Sequence, residues 1–154
     1  MFENEVPEIK QGIVQVKSVA RDPGQRTKIA IYSEDPSVDA VGACVGNKGA
    51  RVNAIVNELG GEKIDIIPWS ENPLEFISSS LSPARVIKVI QTGDESAMAV
   101  VPDDKLSLAI GRSGQNARLA VKLTGWKIDV KSESNAIKEL GDYEITDAQD
   151  EVSE

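Results

Sequence analysis

Apolar and polar residues alternate with period two in "GIVQVKSVAR" and "RTKIAIYS", the pattern of two strands each burying one face. Between them "DPGQ" supplies the Pro and Gly of a tight turn. "DPSVDAVGACVG" predicts a helix capped by Asp35 or Ser37 and ended by glycine. In "ARVNAIVNELGG", Val52, Ile55, Val56 and Leu59 recur at helical spacing before a glycine stop, and "EKIDIIPW" returns to strand alternation. Upstream, "MFENEVPEIKQG" predicts one short helix from Pro7 to Gln11, closed by Gly12.

The same order then recurs. Helix "NPLEFISSSLS" leads into strands "ARVIKVIQ" and "SAMAVVP" around "TGDE", followed by helix "DDKLSLAIG", helix "QNARLAVKLTG" and strand "WKIDVKS". Ile29-Ala30-Ile31 aligns with Met98-Ala99-Val100 at an offset of 69, Gly46 and Gly49 with Gly111 and Gly114 at 65, and Ile64-Asp65-Ile66 with Ile128-Asp129-Val130 at 64. Loop-length differences between duplicated modules produce such drift. The pattern predicts an α+β chain of two α-β-β-α-α-β modules, each a three-stranded mixed sheet covered by helices on one face. The first is expected over 1–70 with a short lead-in and the second over 71–131, with an acidic tail over 132–154, flexible beyond a helical turn at "NAIKEL". Modules this small gain stability by packing together, so a rigid tandem is expected, with Trp69 as a plug at the junction or a stacking surface for a ligand.

Composition narrows the chemistry. The 154 residues are 40% hydrophobic but only 4% aromatic, so Val, Ile, Leu and Ala must build the core. One cysteine and no histidine exclude an internal disulfide, the usual zinc ligands and Ser-His or Cys-His nucleophile pairs. Cys44, flanked by small apolar residues in "VGACVG", is expected to be a packing residue. No convergent acid–base set stands out, so neither an enzyme nor a metal or other cofactor is expected. No apolar run of about 18 residues, enough to span a bilayer, is present, and a cytoplasmic chain without a membrane partner is expected.

A net charge of −8 would argue against nucleic acid, but the acidity lies at the ends. From Ser132 to Glu154 there are eight acidic residues against Lys138 alone, whereas from Gly12 to Lys131 there are fifteen basic and fourteen acidic residues. The interior can therefore carry local basic patches.

A Gly-x-x-Gly between two helices turns the chain with no Cβ in the way, so a sugar-phosphate backbone can come close to the main chain. Amide donors and the dipole of the next helix favour phosphate there. Lys48 lies inside "GNKG" and Arg112 inside "GRSG"; Arg51, Arg118 and Lys122 follow, the last two on one helix face. A plain helix-turn-helix corner explains either loop alone, but two loops with cations at the same place in a repeat favour binding. There is no G-x-G-x-x-G after a strand and no G-x-x-x-x-G-K-[ST], so dinucleotide and P-loop sites are unsupported.

This arrangement resembles the type II K-homology (KH) fold, a clamp for about four nucleotides of single-stranded nucleic acid. "DPSVDAVGACVGNKGARVNAIVNELGGEKIDIIPWSENPLEFI" and "LSLAIGRSGQNARLAVKLTGWKID" are similar to the tandem KH pair of the NusA family of bacterial transcription factors, over Val6 to about Lys131. In that family the pair follows a polymerase-binding domain and an OB-fold domain, so an excised fragment is expected. The resemblance implies a regulator of pausing, elongation, termination and antitermination that holds single-stranded nascent RNA. RNA polymerase and other transcription factors would be partners of the full-length protein, and a monomer is expected. Carried onto this chain, the clamp is Gly46, Asn47, Lys48 and Gly49 with Arg51, and Gly111, Arg112, Ser113 and Gly114 with Gln115, Asn116, Arg118 and Lys122. The groove strands are Lys63, Ile64, Asp65 and Ile66, and Lys127, Ile128 and Asp129 through Val130; they offer no aromatic platform. A module that docks on polymerase or another factor, with structural KH folds, is the alternative.

Overall fold

A computed structural model describes residues 1–140. They separate into two compact units, Met1–Glu71 and a second beginning at Asn72.

The first unit opens with two short helices, α1 (Phe2–Glu5) and α2 (Pro7–Lys10), where a single helix from Pro7 is expected. Val6 between them is extended and fully buried, so an apolar anchor interrupts what is otherwise an acidic lead-in. Strands β1 (Val14–Asp22) and β2 (Arg26–Ser33) pair antiparallel around the expected turn, where Gln25 N–H donates to the Asp22 carbonyl at 3.0 Å. Helices α3 (Ala40–Val45) and α4 (Ala50–Glu58) follow, and β3 (Lys63–Pro68) pairs parallel to β2, giving the order β1-β2-β3. Ile29 and Ile31 of β2 pack with Val6, Val14 and Cys44, with Ile64 and Ile66 against them. Burial raises the Cys44 thiol to about 11, as suits a packing residue.

Helix α3 starts later than expected. The Asp35 carboxylate accepts the Ser37 N–H at 2.9 Å and its hydroxyl at 2.7 Å, closing a local turn that competes with helix. The cap is Asp39, whose carboxylate accepts the Gly42 N–H at 3.0 Å.

The second unit repeats the order with α5 (Pro73–Ser80), β4 (Lys88–Gly93), β5 (Ser96–Val101), α6 (Leu106–Ile110), α7 (Gln115–Thr124) and β6 (Lys127–Ser132). Its sheet runs β4-β5-β6, antiparallel then parallel. β4 begins four residues later than the alternation suggests, because turns around Pro83 (Ser82 N–H to Ser79 O, Ala84 N–H to Leu81 O) satisfy the backbone locally. Ala97 and Ala99 pack on Ile77, Leu81, Val89 and Ala120, and Val101 on Ala84 and Ala109.

Two expectations are corrected, the first by the register. β2–β3 pairs Lys28 with Asp65 and Ile29 with Ile66; β5–β6 pairs Met98 with Asp129 and Ala99 with Val130. Lys28 therefore corresponds to Met98 and Ile29 to Ala99, an offset of 70 rather than 69. A one-residue slip moves every side chain to the other face, and a run of apolar residues such as 97–101 cannot reveal it. The tail, second, is structured at its start: α8 (Glu133–Leu140) lays Ala136, Ile137 and Leu140 on Met98 and Val100, covering the sheet face opposite α5–α7. Ser132 Oγ accepts the Asn135 N–H, and the Asp103 carboxylate accepts the Ser134 N–H at 3.0 Å and its hydroxyl. The remaining acidic tail lies outside the described residues.

Candidate nucleic-acid interface

The two Gly-x-x-Gly loops have one backbone. Gly46 (φ 78°, ψ 174°) matches Gly111 (79°, 171°), Lys48 (55°, 30°) matches Ser113 (56°, 26°), and Gly49 (77°, 12°) matches Gly114 (75°, 10°). The first glycine lies in a region open essentially to glycine alone, and the third and fourth residues are both left-handed. A Cβ on Gly46 would sit 2.8 Å from the Arg51 nitrogen, and one on Gly111 2.7 Å from that of Asn116. The sharp entry thus places the first turn of α4 or α7 directly behind the loop, with its amides leading into the helix.

Arg51 and Asn116 do not join the loop cations. Arg51 Nη1 donates to Glu8 Oε1 at 3.0 Å and to the Ala43 carbonyl at 2.8 Å; buried Asn116 donates through Nδ2 to the Leu81 carbonyl at 3.0 Å and the Ala109 carbonyl at 2.9 Å. At an offset of 65 they are the same position, and each ties the helix after the loop to the helix before it and to a more distant segment. They hold the corner. Asn47, Lys48, Arg112, Ser113, Arg118 and Lys122 are exposed, and Gln115 is half-buried at the start of α7. Arg118 Nη1 reaches back to the Ser113 carbonyl at 3.3 Å.

The last strand of each sheet is an edge. Lys63 N–H donates to Gln25 O at 3.1 Å and Trp69 N–H to Ile31 O at 2.8 Å, so odd-numbered residues turn their amides toward β2. Ile64 and Ile66 then present N–H and C=O to the outer side, while their side chains face the helices. Lys127 N–H donates to Glu95 O at 2.9 Å, so Ile128 and Val130 do the same in the second unit. A cleft of about 430 Å³ includes Val121, Lys127 and Ile128 in its walls.

Asp65, expected in the groove, falls on the opposite sheet face by the same alternation, as does the Asp129 side chain, although Asp129 still borders the cleft. Asp65 accepts from Arg26 at 2.7 and 2.9 Å and from fully buried Lys28 at 2.8 Å. Burial alone would raise its pKa, but these cationic hydrogen bonds outweigh that and hold it below the ordinary value. Asp129 has Lys131 at 3.8 Å. Lys63 and Lys127, exposed at the strand starts, share that parity, so Ile64, Ile66, Ile128 and Val130 are the residues that face the helices. Trp69 meets Tyr32 edge-on at 5.3 Å, with Lys17 Nζ 4.9 Å from its ring centre.

Among the described residues no group of three or more His, Cys, Asp or Glu side chains is placed to hold a metal, and no helix is long and apolar enough to cross a membrane.

Comparison with known proteins adds relatives. The family model of a NusA-like first KH domain matches residues 1–69, and that of a NusA-like second KH domain residues 73–138. The chain is 62% identical over 144 residues to the transcription termination/antitermination protein NusA of Bacillus subtilis (strain 168), covering 93% of this chain and 38% of the relative. The NusA of Halalkalibacterium halodurans is 61% identical over 142 residues, covering 92% of this chain and 37% of the relative. The chain thus spans well under half the length of these curated relatives. The crystal structure of APE1850 shares the fold at a TM-score of 0.52 and 19% identity, covering 84% of this chain and 96% of that one. Two Gly-x-x-Gly corners, two mixed three-stranded sheets and matches along nearly the whole chain agree, and the chain belongs to the NusA-like KH family, with a first and a second KH domain in tandem.

Proposed function

We propose that this chain binds single-stranded RNA through both KH domains, without catalysis, as part of a cytoplasmic factor that regulates pausing, elongation, termination and antitermination by RNA polymerase through the nascent transcript. The observation that carries the reading is the repeated loop backbone. Two separate turns adopt the same glycine-dependent conformation, each opens a helix, and each carries an exposed cation. The relatives' name, transcription termination/antitermination protein, supports the setting.

Phosphates would approach at Gly46-Asn47-Lys48-Gly49 and at Gly111-Arg112-Ser113-Gly114, where the exposed second and third loop residues meet the positively polarised N-termini of α4 and α7. Gln115, Arg118 and Lys122 extend the second contact along α7. Bases would lie toward the last strand, whose outward N–H and C=O groups at Ile64, Ile66 and Ile128 offer hydrogen bonds to their edges. Arg51 and Asn116 act as positioning residues, setting the loop without touching the ligand. Two clamps on one chain raise each other's effective concentration, so moderate contacts suffice.

The test is the double variant Gly49→Asp, Gly114→Asp, measured by fluorescence anisotropy with labelled single-stranded RNA. Asp tolerates the left-handed region better than most residues, a Cβ at 114 meets nothing within 4 Å, and one at 49 meets only the Asn53 side chain, at 3.1 Å. Circular dichroism should show an intact fold, and RNA binding should be lost through repulsion of phosphate. Undiminished binding would overturn the clamp. Protein docking is the second reading, favoured by Val16 and Val19, 41% and 53% exposed on edge strand β1; it gains if the unmodified chain ignores RNA at low salt.

A further inference from the structure

Because the loops match residue by residue, an offset of 65 carries α4 onto α7. Asn47 corresponds to Arg112, Lys48 to Ser113, Asn53 to Arg118 and Asn57 to Lys122, and all eight side chains are exposed. The helix face after the loop therefore bears two cations in the second unit and two neutral amides in the first.

Both faces lean on their loops. Asn53 Nδ2 lies 3.1 Å from where a Cβ on Gly49 would be, so its amide sits at the opening where a nucleotide backbone would approach. Arg118 instead leaves the space beside Gly114 open and reaches back to donate to the Ser113 carbonyl of that loop. A cation there neutralises phosphate and releases counterions, which makes affinity salt-dependent and indifferent to the sugar. A carboxamide does neither; it donates and accepts at once, the complement of a ribose 2′-hydroxyl, which is also both donor and acceptor.

We propose that the two KH domains divide the work: the second is the charge anchor, through Arg112, Arg118 and Lys122, and the first distinguishes RNA from DNA, through Asn53 and Asn57 at the ribose. This rests on the RNA-binding reading above. It assigns a specificity role to two asparagines that lie outside the Gly-x-x-Gly sequence itself.

The test uses the whole chain, with one single-stranded sequence made as labelled RNA and as labelled DNA, titrated by anisotropy at several KCl concentrations. Arg118→Asn with Lys122→Asn should flatten the slope of log affinity against log salt by about 1.4, about 0.7 for each cation lost, and weaken RNA and DNA alike. Asn53→Ala with Asn57→Ala should leave the slope unchanged and lower the RNA-over-DNA preference several-fold. The reciprocal Asn53→Arg with Asn57→Lys should steepen the slope. An unchanged slope in the first variant, or equal loss of RNA and DNA binding in the second, overturns the division of labour while the RNA-binding reading stands. A parent chain that binds neither nucleic acid overturns both.

Discussion

The two glycines of each loop are held for different reasons. Gly46 and Gly111 combine a glycine-only backbone with a helix nitrogen 2.8 or 2.7 Å from any added Cβ, whereas Gly114 is only left-handed and faces open space. Gly111→Ala should therefore cost about 3 kcal/mol of stability and Gly114→Ala about 1 kcal/mol, read from urea denaturation. Equal costs would show that the tight approach of Asn116 relaxes. The same scale shows what the sequence conceals. Lys48 and Arg112 could be placed in the loops from the motif alone, because the motif is local. Arg51 reads as another loop cation until its partner Glu8, 43 residues away, is seen, and Asn116 reads as a loop donor until Leu81, 35 residues away, takes its amide. Long-range partners leave no trace in spacing. Asp65 is subtler, since strand parity alone could have moved it off the groove face.

Among the elements, strands and loop-flanking helices were legible because their period and punctuation are strong, while of α8 only a helical turn at "NAIKEL" was. Its apolar positions, Ala136, Ile137 and Leu140, are few, and an acidic setting reads as solvated chain. What makes it a helix is tertiary: buried Ala136 fits against Met98 and Val100, and Asp103, 31 residues upstream, receives its first turn. Ala136→Asp would bury an unpaired carboxylate there and should cost the second domain about 3 kcal/mol, seen in urea denaturation followed by Trp126 fluorescence. An unaltered midpoint would mean that α8 contributes nothing to the domain it covers. The same contact explains the register error: with Met98 and Val100 buried on one face and Ala97, Ala99 and Val101 on the other, β5 lacks the alternation that would have fixed its faces.

Across the whole molecule, the domains share a path of the chain but not an electrostatic economy. In the first domain Glu62 accepts from Arg21 at 2.9 Å, from the Gly24 N–H at 2.8 Å and from the Thr27 hydroxyl, joining β1, its turn and β2 to the residue before β3. Chiefly the Arg21 hydrogen bond, with Thr27 next, draws its pKa from 4.5 down to about 2. The corresponding residue of the second domain is Trp126, which packs on the apolar core. A carboxyl depressed in the folded state stabilises it fully above the unfolded value and loses that stabilisation as pH falls through the folded one. Between about pH 4.5 and 2, then, the first domain should weaken steadily, and Asp65, also depressed, works in the same direction. Urea midpoints measured across that range should fall with pH in the parent and follow a flatter line in Glu62→Gln; parallel lines would show that the network does not govern acid sensitivity.

The near-identity of the two loop backbones has a further consequence for how such a pair can change over generations. Lys48 and Ser113 occupy the same conformation to within a few degrees between matching glycines, so the loops' contents are tradable: a cation can move from one loop to the other, or one place along it, without disturbing the framework. The bracing residue two places beyond the second glycine is not tradable, since Arg51 is fitted to Glu8 and Asn116 to Leu81. Each domain thus has a private frame around a loop of common backbone, and what that loop carries is free to drift where the fold is not.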